Sequence, residues 1–202
     1  GALAICTTDY NDEILNSGIS RFTSTDFARA LRDNLVTDLT AQFGEFGKRY
    51  LWDINYSETR LPEVPSAILE MLSHQNFPDM RIAQDPLGKF YIARSTYKTI
   101  LRFVNSNHGT RYVVQPLAPQ NFSVTKNQGV ALLSWTAQLD KTEPSARPTS
   151  YIIYKAEGQG GFDNGTIVNT TRCERQLELG NLYHFNVAAV SAGGEMLTTA
   201  TL

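Results

Sequence analysis

Chemistry in this chain centres on Val64-Pro65-Ser66-Ala67-Ile68-Leu69-Glu70-Met71-Leu72-Ser73-His74-Gln75-Asn76, which delivers one carboxylate at the end of an apolar run. Pro65 cannot donate to a sheet ladder and suits the first position of a strand, which Ala67, Ile68 and Leu69 continue. In open α/β sheets ligands bind outside the carboxyl ends of the strands, and Glu70 with Ser73-His74-Gln75-Asn76 is expected to emerge there. A carboxylate that closes an apolar strand costs desolvation unless it is paired or functional. Glu70 therefore reads as a general base or a metal neighbour, with a salt bridge to Arg81 or Arg94 as the structural alternative. His74 follows by four residues, a spacing that suits a metal pair on a helix but leaves ~13 Å between the two along a strand. A turn after Leu72 would bring them together; His74 reads first as a loop histidine bonded to backbone, with contact to substrate or metal as the alternative.

The flanking elements have to hold that strand in a sheet. Ala2 to Thr7 reads as a buried strand and Asp9 to Ser17 as a polar loop. Phe27, Leu31, Leu35, Leu39 and Phe43 recur every four residues and predict a helix, with Thr23 and Asp26 as a capping box and Gly44 and Gly47 as its end. Residues 48–63 carry Trp52, Tyr56 and Arg60 without a clean period and read as a partly extended connection. Asp85-Pro86 marks a second helix start, and Phe90, Ala93, Tyr97, Leu101 and Val104 share one face down to a stop near Gly109. Two strands and two covering helices leave an apolar sheet edge that a missing half or a partner subunit should cover.

The Glu70 segment resembles the final strand of the zinc-dependent N-acetylmuramoyl-L-alanine amidases, which cleave the bond between muramic acid and the stem peptide of peptidoglycan. Pro65, Ala67, Ile68, Leu69 and Glu70 match that pattern, and Asn76 keeps the distance of six from the Glu, whereas Met71, Leu72 and Ser73 replace the usual glycine pair and Phe. Phe90 to Ile100 looks like the family's last helix, and Leu3-Ala4-Ile5-Cys6 resembles the strand that follows the second zinc histidine. The resemblance covers roughly the first half of the chain and implies an α/β domain in which Glu70 acts on the water or the tetrahedral intermediate, with His74 and Asn76 as substrate-binding positions. The family's zinc ligands, two His and a Glu, lie upstream, and no matching His precedes Gly1. Residues 1–112 are therefore expected to be the carboxyl-terminal half of such a domain, with zinc in a complete parent and none held by this chain.

After Gly109 the composition changes. Gln115-Pro116-Leu117-Ala118-Pro119 reads as the core of a linker over 113–119. Short alternating runs follow at Phe122 to Val124, Val130 to Trp135, Tyr151 to Lys155, Arg175 to Leu179 and Tyr183 to Val190, the spacing of an all-β sandwich over 120–202. This part resembles a fibronectin type III module, with Trp135 as its core tryptophan and Leu179-Gly180-Asn181-Leu182-Tyr183 as its corner. That resemblance implies that the Tyr183 hydroxyl bonds back to nearby backbone and that Tyr183, Phe185, Val187 and Ala189 face inward. Gly158-Gln159-Gly160-Gly161 lacks the Lys-Ser/Thr of a phosphate loop and reads as a flexible hairpin. Asn169-Thr170-Thr171 is formally a glycosylation sequon, without meaning in a bacterial chain.

At 202 residues the chain has room for two modest domains, and a 42% hydrophobic composition supplies their cores. A net charge of −2, with 18 basic residues spread among 20 acids, argues against nucleic acid as a partner. No apolar run reaches the ~20 residues of a membrane span and no signal peptide is visible. Gly1 in place of an initiator Met reads as a processing or cloning scar. Cys6 and Cys173 are the only cysteines, too few for a disulfide framework, and are expected to stay unpaired. Similar arrangements occur in large secreted bacterial proteins described as xanthan-lyase-like. The expected parent is thus a secreted or cell-envelope hydrolase acting on peptidoglycan or another cell-surface polysaccharide. A non-catalytic glycan- or protein-binding module with a degenerate amidase half is the alternative.

Overall fold

The computed structural model describes residues 1–8 and 13–198 and divides the chain into two compact units, Gly1–Arg111 and Tyr112–Leu202. Part of the expected polar loop, residues 9–12, lies outside the described residues.

The first unit builds on β1 (Ala2–Cys6), every residue of which is buried. β1 pairs in parallel with β2 (Lys48–Asp53) on one side and antiparallel with β3 (Ile68–Glu70) on the other, giving the order β2-β1-β3. Ala2, Ala4 and Cys6 face α1 (Thr23–Phe43), where Ala28, Leu35 and Leu39 meet them. The small strand side chains let the helix approach closely, and Leu69 of β3 joins the same layer. Burial pushes the Cys6 thiol above its ordinary range, and burial does the same to Cys173; neither forms a disulfide. Residues 48–63, expected to be an irregular connection, hold β2 and the short α2 (Ser57–Arg60).

The helix ends follow the sequence unevenly. α1 stops at Gly44, whose N–H still donates to the Thr40 carbonyl while its φ of 90° turns the chain out of the helix. The expected capping box does not form: Thr23 is already the first helical residue, behind Phe22 in helical backbone with no side-chain cap. α4 (Pro86–His108) starts and stops where expected, with Asp85 accepting from Leu87 N at 2.8 Å and Gly109 at φ 64°. Its buried face is a correction. The predicted apolar row 90/93/97/101/104 includes the exposed Ala93 and Val104, whereas Gly88, Ile92, Ser95, Lys98 and Thr99 are buried. Polar bonds to α1 hold this face: Asn34 donates to Thr99 Oγ1 at 3.1 Å, and Lys98 Nζ donates to Asp38 at 2.8 Å.

Between β3 and α4 lies α3 (Phe77–Gln84), an element the sequence did not reveal. At Gly88 a Cβ would fall 2.1 Å from the Ile82 carbonyl oxygen, a backbone atom with nowhere to move. Gly88→Ala is expected to lower the stability of this unit by about 3 kcal/mol through forced separation of α3 and α4. Urea unfolding monitored by far-UV circular dichroism checks it, and an unchanged midpoint would show that the helices re-seat without cost.

The second unit is a β-sandwich. One sheet has the order β4-β5-β8 (Gln120–Asn127, Val130–Thr136, Arg172–Gln176). The other has the order β10-β9-β6-β7 (Gly194–Thr198, Tyr183–Ser191, Ser150–Glu157, Thr166–Val168). Alternation along the strands sends Ala131, Leu133 and Trp135 from β5, Tyr151 and Ile153 from β6, and Phe185, Val187 and Ala189 from β9 into one core. Gln128 and Gly129, both at positive φ, close the tight β4–β5 hairpin. The expected strand Arg175–Leu179 sits earlier, at β8, and β7 and β10 are additional.

The expected linker 113–119 is instead built into this unit. Val114 and Leu117 are buried, Val114 N donates to Ser145 Oγ at 3.1 Å, and a Cβ at Gly193 would lie 2.5 Å from the Val113 carbonyl. Proline-rich composition marks a chain without helix, and here the segment is packed rather than solvated.

Candidate functional site

β3 carries Glu70 as its last residue, opposite Leu3 of β1. Because β3 runs antiparallel to β1, Glu70 lies where β1 and β2 begin, not at their carboxyl ends. The rule that places ligands beyond the carboxyl ends of parallel strands therefore does not locate this carboxylate. Glu70 is exposed, so water rather than a compensating cation meets the desolvation argument. Among the described residues it forms no ion pair with Arg81 or Arg94.

Residues 71–76 then turn, and Glu70 and His74 both line one open cleft of about 550 Å³. Leu69, Met71, Leu72, Ser73 and Arg49 complete the lining. The turn is anchored from below: the buried Asp79 carboxylate accepts from Ser73 N at 2.8 Å. Asn76 has a structural task here, accepting from Asp79 N at 3.0 Å as the N-cap of α3. It is not among the cleft-lining residues.

Arg49 is the cleft residue that the sequence did not suggest. It enters from β2, a strand without a visible period, and the sole signal was a cation one position before an aromatic pair. The cleft thus combines a carboxylate, an imidazole and a guanidinium over an apolar floor, a mixture suited to gripping polar ligands and to carrying a proton.

Zinc, implied by the amidase resemblance, needs at least three protein ligands in a catalytic site. Glu70 and His74 are the cleft's two candidate donors, and among the described residues no cluster of three His, Cys, Asp or Glu side chains is arranged for a metal. Arg49 adds positive charge to the same space. The described residues of the cleft therefore do not by themselves fit that metal.

In the second unit the corner geometry is in place: Glu178 N donates to the Tyr183 hydroxyl at 3.1 Å. Trp135 sits between the sheets, 5.3 Å from the Tyr151 ring and edge-on to it. The glycine-rich 158–161 segment lies in the loop between β6 and β7, as a hairpin connection.

No curated protein matches this chain. Among solved structures, the twitchin kinase region from C. elegans is 22% identical, with a TM-score of 0.36, over 42% of this chain and 16% of that one. Titin kinase with its flanking domains is 21% identical, TM-score 0.36, over 41% of this chain and 15% of that one. The chain therefore spans about a sixth of the length of these two proteins. An FN3 domain of human collagen XX is 20% identical, TM-score 0.32, over 45% of this chain and 99% of that domain. The family described as "Fibronectin type III domain" matches residues 117–201. With the two-sheet core and the Tyr183 corner, residues 117–201 are a fibronectin type III domain.

Proposed function

We propose that the first unit is the carboxyl-terminal half of an amidase-type hydrolase domain acting on peptidoglycan, and that the fibronectin type III domain spaces it or holds it near a cell-surface polysaccharide. The reading implies a secreted or cell-envelope protein. The observation that carries it is the exposed Glu70 carboxylate at the end of β3, in an open cleft shared with His74. In that position Glu70 takes a proton from water and passes it to the leaving amine, while His74 and Arg49 hold polar groups of the substrate.

The test is dye release from labelled peptidoglycan. The 202-residue chain alone is expected to release none. A longer parent chain that carries its own zinc ligands is expected to release dye, and Glu70→Gln in it should slow release by about 10²–10⁴-fold. A zinc-loaded parent without activity, or one indifferent to Glu70→Gln, overturns this reading.

The second reading is a non-catalytic module that binds cell-wall glycan through the same cleft. Arg49, a cation in the same cleft as Glu70 and His74, favours it. Retention of the 202-residue chain by insoluble peptidoglycan, lost on Arg49→Ala and without any parent activity, selects it.

A further inference from the structure

We propose that the fibronectin type III core, at its end beside the β4–β5 hairpin, binds a small apolar carboxylate. An open cavity of about 250 Å³ lies there, walled by Val124, Leu177, Leu182 and Phe185 together with the Tyr183 ring. Residues opposite one another on paired strands share a face of the sheet, and Ala131 and Phe185 both belong to the core. Lys126 and Arg175 lie opposite Ala131, one on each side of it, and Lys155 lies opposite Phe185. Both sheets therefore carry cations on their inner faces in this last layer, at positions that alternation elsewhere fills with apolar side chains.

The charges select the ligand. Lys126 lines the cavity, and Lys155 Nζ lies 5.5 Å from the centre of the Tyr183 ring that also lines it. Arg175 is not a lining residue; it stands two strands from Lys126, about 10 Å away, and adds to the positive field. Its guanidinium donates to the Glu174 carbonyl at 2.9 Å, while Nη2 is buried without a hydrogen-bond partner. None of the three cations forms an ion pair among the described residues. Glu157 is engaged by Asn181 at 2.5 Å, and Glu174 lies opposite Leu132 on the outer face. Cations beside an apolar cavity favour an anion with an apolar body, because the walls offer nothing to a hydrated inorganic ion and the charges repel an amine. The volume sets the size: it falls below the ~300–1,000 Å³ of drug-sized pockets, which leaves room for one short acyl chain or one ring. This site does not depend on hydrolysis in the first unit.

Titration of the 202-residue chain with hexanoate and with phenylacetate, followed through backbone amide NMR shifts, tests it. At least one of the two acids is expected to bind saturably with a Kd below about 10 mM, moving the amides of Val124, Leu177, Leu182 and Phe185. Hexanol and hexylamine carry the same apolar body without the charge or with the opposite one, and should bind at least about tenfold more weakly than hexanoate. Lys126→Met keeps the aliphatic stem and should weaken acid binding about fivefold or more while the rest of the amide spectrum stays in place. Leu182→Glu, at a position 62% exposed, sets a like charge in the cavity and should abolish acid binding in a folded chain. An unchanged spectrum away from each substitution separates loss of the site from loss of the fold. The inference is overturned by the absence of a saturable shift with either acid at about 10 mM, or by hexanol binding as tightly as hexanoate. Shifts confined to the Arg49 cleft of the first unit, or acid binding indifferent to Lys126→Met, overturn it as well.

Discussion

Replacing Trp135 with alanine is expected to cost the sandwich about 4 kcal/mol, much of the stability of a small domain. The indole is 4% exposed and lies edge-on to Tyr151 at 5.3 Å, with Phe122 at 6.4 Å, so it joins the two sheets. Truncation removes these contacts and leaves a cavity that strands held in a ladder cannot close. Trp135→Phe should lose less than half as much, because a ring still reaches Tyr151. Amide hydrogen exchange gives a local readout: protection in β5, β6 and β9 should fall together in the alanine variant while β1 and α1 stay protected. Unchanged exchange in β9 would mean that the core repacks around the missing ring.

The second large effect is expected at Lys98. Lys98 Nζ and Asp38 Oδ1 are 2.8 Å apart, with side chains 3% and 4% exposed, between α4 and α1. Lys98→Met keeps the aliphatic stem but leaves a buried carboxylate without this cation, a change that typically costs about 3–5 kcal/mol. Adding Asp38→Leu should return most of that loss, because a matched apolar pair replaces a matched ionic one without any charge to desolvate. Urea unfolding of the two single variants and the double variant checks both statements. A double variant no better than Lys98→Met would show that Asp38 has a structural task beyond this pair.

The pair also shows why α4 was legible in extent but not in orientation. Asp85-Pro86 and Gly109 act through local backbone chemistry, so the sequence alone sets where the helix begins and ends. Which side is buried depends on what the partner helix offers, and α1 offers Asn34 and Asp38. Thr99 and Lys98 consequently go inward, and Ala93 and Val104 remain outside. Apolar periodicity cannot register a helix interface made of hydrogen bonds.

The sandwich was legible for the opposite reason. Its strands bury one face, so alternation at Ala131, Leu133 and Trp135 and again at Phe185, Val187 and Ala189 writes the core directly into the chain. Val114 and Leu117 escaped because a proline-rich segment that adds to a sandwich has the same composition as one that crosses solvent.

At the cleft, local chemistry put Glu70 at a strand end and required a turn to bring His74 to it. The direction of β3 was not local: Ile68-Leu69-Glu70 pairs equally well in either sense, and antiparallel pairing to β1 set which end of the sheet holds the carboxylate. That pairing, with β2 in parallel on the other side of β1, also brought Arg49 into the cleft from 21 residues earlier in sequence. By itself the sequence determined helix ends, the β-sandwich core and a lone carboxylate closing a strand, because these follow from backbone geometry and single-face burial. Tertiary structure decided the direction of β3, the polar face of α4 and the company Glu70 keeps, because each depends on which distant surface arrives to meet it.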